Sequence, residues 1–166
     1  MTGREHYVIV PIGYVHSPFR SRGDAPRQGR LSPAVSTIEV RPEFRDGLYR
    51  IGESRHLFVL CWLDRADRDT LRVVPPHDPV EKGVFATRSP DRPNPISLSL
   101  VDLLGVEGCT LTVRGLDALD GTPVVDIKPY SAEIDAPGEG GGGSLGFPGR
   151  STASPREVHG GRPAGP

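Results

Sequence analysis

Apolar and polar positions alternate in short runs along most of the chain. This period of two is typical of β-strands with one face in a core and the other in water. The predicted strands cover residues 7–15, 35–40, 56–63, 71–74, 96–104, 110–116 and 124–130. Segment 56–63 is almost wholly apolar, which predicts a buried central strand. Turns rich in proline and glycine separate the runs.

Helical periodicity is confined to one region, between residues 42 and 55. Phe44, Leu48 and Ile51 have rough helical spacing there, but two glycines interrupt it, so we expect only a short helical turn. A doubly wound α/β sheet needs helices between its strands, and the pattern provides none. The sequence therefore predicts an all-β fold, either a sandwich or a barrel.

The composition changes after Pro137. Residues 138–143 are rich in glycine, and the rest of the chain to Pro166 has almost no large apolar side chains. Such a segment cannot bury enough apolar surface to offset the entropy lost on ordering. We therefore predict one folded domain over residues 1–136 and a disordered tail over residues 137–166.

Length and charge set the class of protein. The 166 residues suffice for one domain. The net charge of −1 gives no overall attraction to nucleic acid or an anionic membrane, but it does not exclude a local basic groove. Cys61 and Cys109 lie among apolar residues, which favours reduced core thiols over a disulfide. The sequence shows no signal peptide, and none of its apolar runs approaches the ~18 residues that a membrane span needs. The expected compartment is therefore the cytosol.

Residues 83–97, GVFATRSPDRPNPIS, are the first candidate for chemistry. Arg88, Arg92 and Asn94 lie on a backbone that three prolines stiffen. A stiff loop presents polar groups to a ligand at a small entropic cost. A structural turn at the end of a strand uses the same residue types, so the residues alone leave both readings open.

The last predicted strand is the second candidate. Alternation places Asp126, Lys128 and Tyr130 on one face, and Val125 and Ile127 on the other, in the core. A carboxylate, an amine and a phenol on one face suit a site wall with a proton acceptor. The alternative is an outward polar face whose exposed ion pair contributes little stability.

Asp117 and Asp120 form another acidic pair. Asp120 precedes Gly121, a common turn sequence, but its carboxylate and the nearby backbone also suit the cationic or hydroxyl group of a ligand. The sequence has no glycine-rich phosphate loop after a strand, no metal-ligand spacing among its five histidines and no Ser/His/Asp motif. We therefore do not expect a metal site.

Four groups of residues together resemble a known family. They are PIG and HSPF, which start at Pro11 and His16, APRQ from Ala25, GVFATRSPDRPNPI from Gly83, and DGTPVVDIKPY from Asp120. Their order and spacing resemble the TsaA-like, TrmO family over roughly residues 8–136. The last two strings are long and specific, so a chance match is improbable.

The resemblance implies a β-barrel that binds S-adenosylmethionine, usually as a homodimer. Characterised members of the family methylate N6 of the threonylcarbamoyl-modified adenosine at position 37 of tRNA. By resemblance, the cofactor contacts are Pro26, Arg27, Gln28, Asp64, Arg65, Arg88, Leu98, Ala118, Leu119, Asp120 and Gly121.

Methyl transfer from an activated sulfonium depends mostly on in-line positioning. A proton acceptor still helps, because an adenine N6 that carries an amide is a poor nucleophile. The residue types assign Asp126 or Tyr130 to that role, with Lys128 tuning either one electrostatically. Asn94 suits the edge of the target base.

The sequence departs from the family pattern at three places: the first concerns the geometry of the cofactor site, and the last leaves the acceptor open. Asp64 stands where a histidine is common, Ser97 where a glycine is usual, and a Gly/Pro tail where longer bacterial relatives carry a second domain. One alternative is a methyltransferase that acts on a small molecule. Another is a barrel that binds S-adenosylmethionine or RNA without turnover.

Overall fold

A computed structural model describes residues 5–26, 29–76 and 78–136 of the chain. The chain divides into two units after Ser131. The strands of the first unit are β1 (Gly13–His16), β2 (Val35–Val40), β3 (His56–Trp62), β4 (Arg72–Val73), β5 (Lys82–Gly83), β6 (Ile96–Glu107), β7 (Thr110–Arg114) and β8 (Pro123–Pro129). In the second unit, the described residues include α1 (Ala132–Asp135). The predicted disordered tail, residues 137–166, lies outside the described residues.

Six of the strands form a closed antiparallel barrel. Their order is β1-β2-β7-β6-β3-β8, and β8 pairs with β1 to close the ring. β4 and β5 form a separate two-stranded ribbon. The all-β prediction is confirmed, and the barrel is the architecture adopted.

Alternation along the strands fills the barrel interior. In β3, the side chains of Leu57, Val59 and Cys61 are fully buried, whereas the residues between them face outward. The core cluster consists of Val15, Ile38, Val40, Leu57, Val59, Cys61, Val101, Leu111, Val113, Leu116, Ala118 and Val124. Burying a side chain such as valine or leucine contributes about 1.5–3 kcal/mol. The apolar interior is therefore the main source of the barrel's stability.

Both cysteines are free thiols, in agreement with the predicted reduced state. Cys61 belongs to the core, and burial raises the pKa of its thiol to about 12. Cys109 is partly buried against the same core. The Cys61 thiolate is therefore scarce at neutral pH, which makes this side chain an inert core residue.

The predicted helical turn is present as two 3-10 helices, Pro42–Leu48 and Ile51–Glu53. Proline opens the first helix, where its missing N–H costs nothing. Arg50 adopts a left-handed conformation with φ 63° between the two helices. The apolar side chains of both helices pack against the core. Within the described residues, no helix is long and apolar enough to span a membrane.

Two strands, β1 and β6, differ most in length from the prediction. β1 begins at Gly13 rather than at residue 7, because Gly13 pairs with Val40, the last residue of β2, and residues 7–10 extend past that strand and are exposed. β6 continues to Glu107, because it pairs with β7 to the end of a tight turn. Gly108 provides the positive φ of 59° at that turn.

A β-bulge in β8 overturns one predicted core residue. Cys61 pairs with Val124 and Leu60 pairs with Asp126, so Val125 is an extra residue on β8. The bulge reverses the alternation, and Val124 rather than Val125 lies in the core. The assignment of Val125 to the core is wrong, whereas Ile127 packs against the core as predicted.

Candidate cofactor cavity

A cavity of about 820 Å³ lies against the outer face of β3 and β6. Phe58, Leu98 and Leu100 form its apolar floor, and they point outward because the residues between them point into the barrel. The walls come from the loops that follow β1, β3 and β7 and from the loop that precedes β6. The volume lies within the ~300–1,000 Å³ of small-molecule sites.

Most of the predicted cofactor residues line this cavity. Those that do are Pro26, Asp64, Arg65, Arg88, Leu98, Ala118 and Leu119. Arg27 and Gln28 lie outside the described residues. The structure therefore brings together residues that are up to 93 positions apart in the sequence, the separation of Pro26 and Leu119.

Asp120 and Gly121 lie behind the cavity wall rather than among the lining residues. The Asp120 carboxylate accepts a hydrogen bond from the backbone N–H of Ser17 at 3.1 Å and pairs with Arg20. Gly121 has φ 80°, and its N–H donates to the carbonyl of Val15 at 2.8 Å. This turn joins the loop after β1 to the segment that carries Ala118 and Leu119, and the cofactor role of its two residues stays a prediction.

Both signs of charge surround the cavity. The charged lining residues are Arg22, Arg30, Arg65, Arg88, Arg92, Asp64 and Asp117. Arg65 donates to the carbonyl of Asp120 at 3.0 Å, Arg88 donates to the carbonyl of Leu98 at 2.7 Å, and Ser99 Oγ donates to Asp117 at 2.9 Å. Separate anionic and cationic groups of this kind suit a ligand that carries both charges. In the described part of the chain, no cluster of His, Cys, Asp and Glu is arranged to hold a metal ion.

Arginine side chains hold the backbone of the proline-rich segment before β6, one from within the segment and one from the loop after β3. Arg92 Nη2 donates to the carbonyls of Val84 and Thr87. Arg68 Nε donates to the carbonyl of Pro93 at 3.2 Å, and its guanidinium lies 5.3 Å from the centre of the Trp62 ring.

Asn94 is exposed on this loop and does not line the cavity. Its neighbours Arg92 and Ile96 do line it. The side chain of Asn94 is therefore available beside the cavity, on a loop whose backbone is held in place.

The other three predicted catalytic residues do not line the cavity. Asp126 and Lys128 share the outer face of β8, as predicted, and form an ion pair at 2.9 Å. The Tyr130 ring lies edge-on to the ring of Phe58, with 5.6 Å between centroids, and Lys128 pairs with Phe58 across the strands. Phe58, which both Tyr130 and Lys128 adjoin, is part of the cavity floor, whereas the three predicted catalytic residues are not.

A row of polar side chains that sequence reasoning missed crosses the outer face next to Tyr130. The His56 ring lies 6.3 Å from the Tyr130 ring, and its Nδ1 is 3.0 Å from Asp102 Oδ1. Arg114 donates to Asp102 Oδ2 through Nε and Nη2, at 3.2 and 3.0 Å. Hydrogen bonding from Arg114, with a smaller contribution from His56, holds the pKa of Asp102 below its ordinary value.

One signal for this row was present in the sequence. Asp102 interrupts the apolar run of β6 two residues after Leu100, at an outward position. Its partners came from strands that were predicted separately. His56, Asp102 and Arg114 meet because β6 pairs with β3 and with β7. The alternation of apolar and polar residues along each strand does not specify that pairing.

Comparison with known proteins finds similar sequences and similar solved structures. An S-adenosyl-L-methionine-binding protein of Archaeoglobus fulgidus is 59% identical over 128 residues, which cover 77% of this chain and 92% of that protein. The crystal structure of TrmO from Pseudomonas aeruginosa is similar with a TM-score of 0.69 and 37% identity, over 81% of this chain and 60% of that one. Another TrmO crystal structure is 35% identical with a TM-score of 0.68, over 92% of this chain and 66% of that one.

The chain thus spans less than two thirds of the TrmO chains that it matches. The family described as the tRNA-methyltransferase O N-terminal domain matches residues 14–136, which include every strand of the barrel except Gly13, the first residue of β1. This chain therefore belongs to the family of tRNA-methyltransferase O N-terminal domains.

Proposed function

We propose that this chain is a methyltransferase that binds S-adenosylmethionine in the cavity of about 820 Å³. One observation carries the proposal: motif residues from four separate loops and one strand meet in a single cavity of suitable size. The names of the Archaeoglobus relative and of the TrmO structures support the same cofactor and the same reaction class.

The residue types in the cavity fit the cofactor. S-adenosylmethionine carries a carboxylate, an ammonium group, ribose hydroxyls and an adenine ring, and it supplies an electrophilic methyl group when bound. Arg88 suits the carboxylate, and Asp64 and Asp117 suit the ammonium group and the hydroxyls. Leu98 and Leu119 suit the faces of the adenine ring.

We propose that the acceptor is N6 of the threonylcarbamoyl-modified adenosine at position 37 of tRNA. That nitrogen loses a proton during the transfer, so the site needs a proton acceptor. Tyr130 contacts Phe58 of the cavity floor, Asp126 lies on the strand that precedes Tyr130, and the ammonium group of Lys128, 2.9 Å from Asp126, sets the local potential. Asn94 has the donor and acceptor groups that the edge of a base requires.

A second candidate function is binding without methyl transfer. The Archaeoglobus relative, 59% identical to this chain, is named for binding S-adenosylmethionine and not for a reaction. The separation of Asp126, Lys128 and Tyr130 from the cavity lining also favours this reading. A methyltransferase with a small-molecule acceptor is the remaining alternative.

Radiolabel transfer from S-adenosylmethionine separates these functions. The substrates are tRNA that carries the threonylcarbamoyl group and the same tRNA transcribed without modification, and cofactor affinity is measured by calorimetry in parallel. We expect label only in the modified tRNA. Cofactor binding without label in either tRNA would refute the tRNA proposal, and label in a pool of metabolites would then identify a small-molecule acceptor.

The homodimer and the cytosolic location also stay predictions. Light scattering on the purified chain tests the first, and a dimer is expected at micromolar concentration. Fractionation of cells tests the second.

A further inference from the structure

A second cavity, of about 420 Å³, adjoins the cofactor cavity. Its lining residues are Arg30, Ser32, Pro33, Leu100, Asp102, Arg114 and Gly115. Arg30, Leu100 and Gly115 line both cavities. A molecule with one group in the smaller cavity therefore has a path to the cofactor cavity over Leu100 and Gly115.

Two glycines place the arginines of this second cavity. A Cβ atom at Gly29 would overlap the backbone carbonyl of Gly115, so the backbones approach each other as closely as glycine allows. Gly115 itself has φ 95°, which disfavours any other residue. Arg30 follows the first glycine and Arg114 precedes the second, so this contact holds both guanidinium groups at one cavity.

The charges at the cavity do not cancel. Asp102 is already engaged, because it accepts two hydrogen bonds from Arg114 and lies 3.0 Å from the His56 ring nitrogen. Arg30 Nη2 is 4.0 Å from Asp102 Oδ1, beyond hydrogen-bonding distance. Two guanidinium groups therefore face one carboxylate, which leaves an excess of one positive charge and donor groups directed at the cavity.

We propose that this second cavity binds an oxyanion of the methyl acceptor, a carboxylate or a phosphate. Both anions have the planar or tripodal oxygens that a guanidinium binds with two hydrogen bonds. This inference rests on the proposed function only in naming the acceptor, whose threonyl group carries a carboxylate and whose backbone carries phosphates. An anion held here orients the acceptor toward the cofactor cavity and raises the effective concentration of its reacting nitrogen.

The first test needs no turnover. Inorganic phosphate is titrated into the ¹⁵N-labelled protein, and the side-chain Nε–H signals of Arg30 and Arg114 are followed, with exposed Arg45 as the control. We expect saturable shifts at Arg30 and Arg114, and about ten-fold weaker phosphate binding in Arg30→Gln than in Arg45→Gln. Equal shifts at all three arginines, or equal affinity in the two variants, would overturn the anion site.

The second test identifies the source of the anion. RNA hairpins with the modified adenosine are prepared with a free threonyl carboxylate, with its methyl ester, or with methylphosphonates beside the target nucleotide. Arg114→Gln, which does not touch the cofactor cavity, is expected to raise KM ~10–100-fold on the natural hairpin and leave cofactor Kd unchanged. If the carboxylate is bound, the variant and the wild type have the same KM on the ester; if a phosphate is bound, they have the same KM on the methylphosphonate.

An unchanged KM for Arg114→Gln on every hairpin would refute the oxyanion site. Absence of methyl transfer by the wild type would instead refute the proposed function, and the phosphate titration would then decide on the anion site alone. Circular dichroism and thermal unfolding of each variant exclude a general loss of fold.

Discussion

Arg22 donates two hydrogen bonds to the carboxylate of Asp91, at 3.1 and 2.7 Å, and so joins the loop after β1 to the loop before β6. Asp91 also accepts from the backbone N–H of Asp67 at 2.8 Å, and Arg22 donates to the carbonyl of Arg65 at 2.9 Å. Three of the four loops around the cofactor cavity therefore meet at one ion pair.

This pair predicts a pH-dependent contribution to stability. The hydrogen bonds from Arg22, followed by the one from Asp67, hold the pKa of Asp91 below its ordinary value of 3.8. Stability from the pair is therefore fully present above about pH 4–5, and is lost as the pH falls through the lowered pKa. Because half of the Arg22 side chain is exposed, we expect Asp91→Asn to cost only ~0.5–1 kcal/mol at pH 7.

Urea unfolding at pH 7 and pH 3 measures this contribution. The difference between wild type and Asp91→Asn is expected to shrink at pH 3, below the ordinary carboxyl pKa of 3.8, where the contribution of a carboxylate with a lowered pKa decreases. Asp46→Asn, a change at an exposed residue of the 3-10 helix Pro42–Leu48, is the matched control. A constant difference at both pH values would mean that Asp91 acts through its shape and not through its charge.

Arg88 is expected to contribute directly to cofactor affinity. Its guanidinium lines the cavity and uses Nη2 to hold the carbonyl of Leu98, so other donor groups of the same side chain remain for a ligand. Loss of a charged hydrogen bond corresponds to ~1–3 kcal/mol, or roughly 5- to 150-fold in Kd. Calorimetry with S-adenosylmethionine on Arg88→Ala tests this, with Arg45→Ala as the control, and an unchanged Kd would remove Arg88 from the cofactor site.

The bulge in β8 gives a test of the fold that uses two adjacent valines. Val124 is fully buried in the core, whereas Val125 is the extra residue of the bulge and is only partly buried. We expect Val124→Ala to lower the free energy of unfolding by about 1.5–3 kcal/mol and Val125→Ala by less than about 1 kcal/mol. Chemical unfolding of both variants measures the difference, and the opposite order would place the bulge elsewhere.

These two valines also show how far the sequence predicts the fold. Alternation located each strand of the barrel, because it is a local property of the residues that a strand places on one face. It misplaced the phase of β8, since two consecutive valines fit either register and the extra residue appears only when β8 pairs with β3. Strand ends were misplaced for the same reason: β1 begins where its antiparallel partner β2 ends, since Gly13 pairs with Val40.

The residues of the two cavities divide in the same way, into those that a sequence motif predicts and those that only strand pairing brings together. Arg88 and Pro26 were found through family motifs, and the structure places both at the cavity. Asp102 and Arg114 belong to no such motif. They meet because β6 and β7 pair in a register that sets these two residues opposite each other, and a register is a property of two strands rather than of either sequence.

The last prediction concerns Asp126, Lys128 and Tyr130, in and directly after β8, the barrel's last strand. Asp126 forms an ion pair with Lys128 and accepts from the backbone N–H of Ile127 at 2.9 Å. If Asp126 accepts the N6 proton, Asp126→Asn keeps the shape of the side chain and removes the base. We expect single-turnover methyl transfer to fall by ~10²–10⁴ while cofactor Kd stays near the wild-type value, because Asp126 does not line the cavity.

Two further variants assign the role of each group. Tyr130→Phe keeps the edge contact with Phe58 and removes the hydroxyl, so it is expected to slow transfer as much as Asp126→Asn only if the hydroxyl takes part in proton transfer. Lys128→Gln removes the partner of Asp126 and leaves its carboxylate unpaired on an exposed face, so it is expected to have the smaller effect on rate. Wild-type rates in both Asp126→Asn and Tyr130→Phe would make this face structural. The proton would then leave N6 through another group, and the nearby His56, 6.3 Å from the Tyr130 ring, would be the next residue to replace.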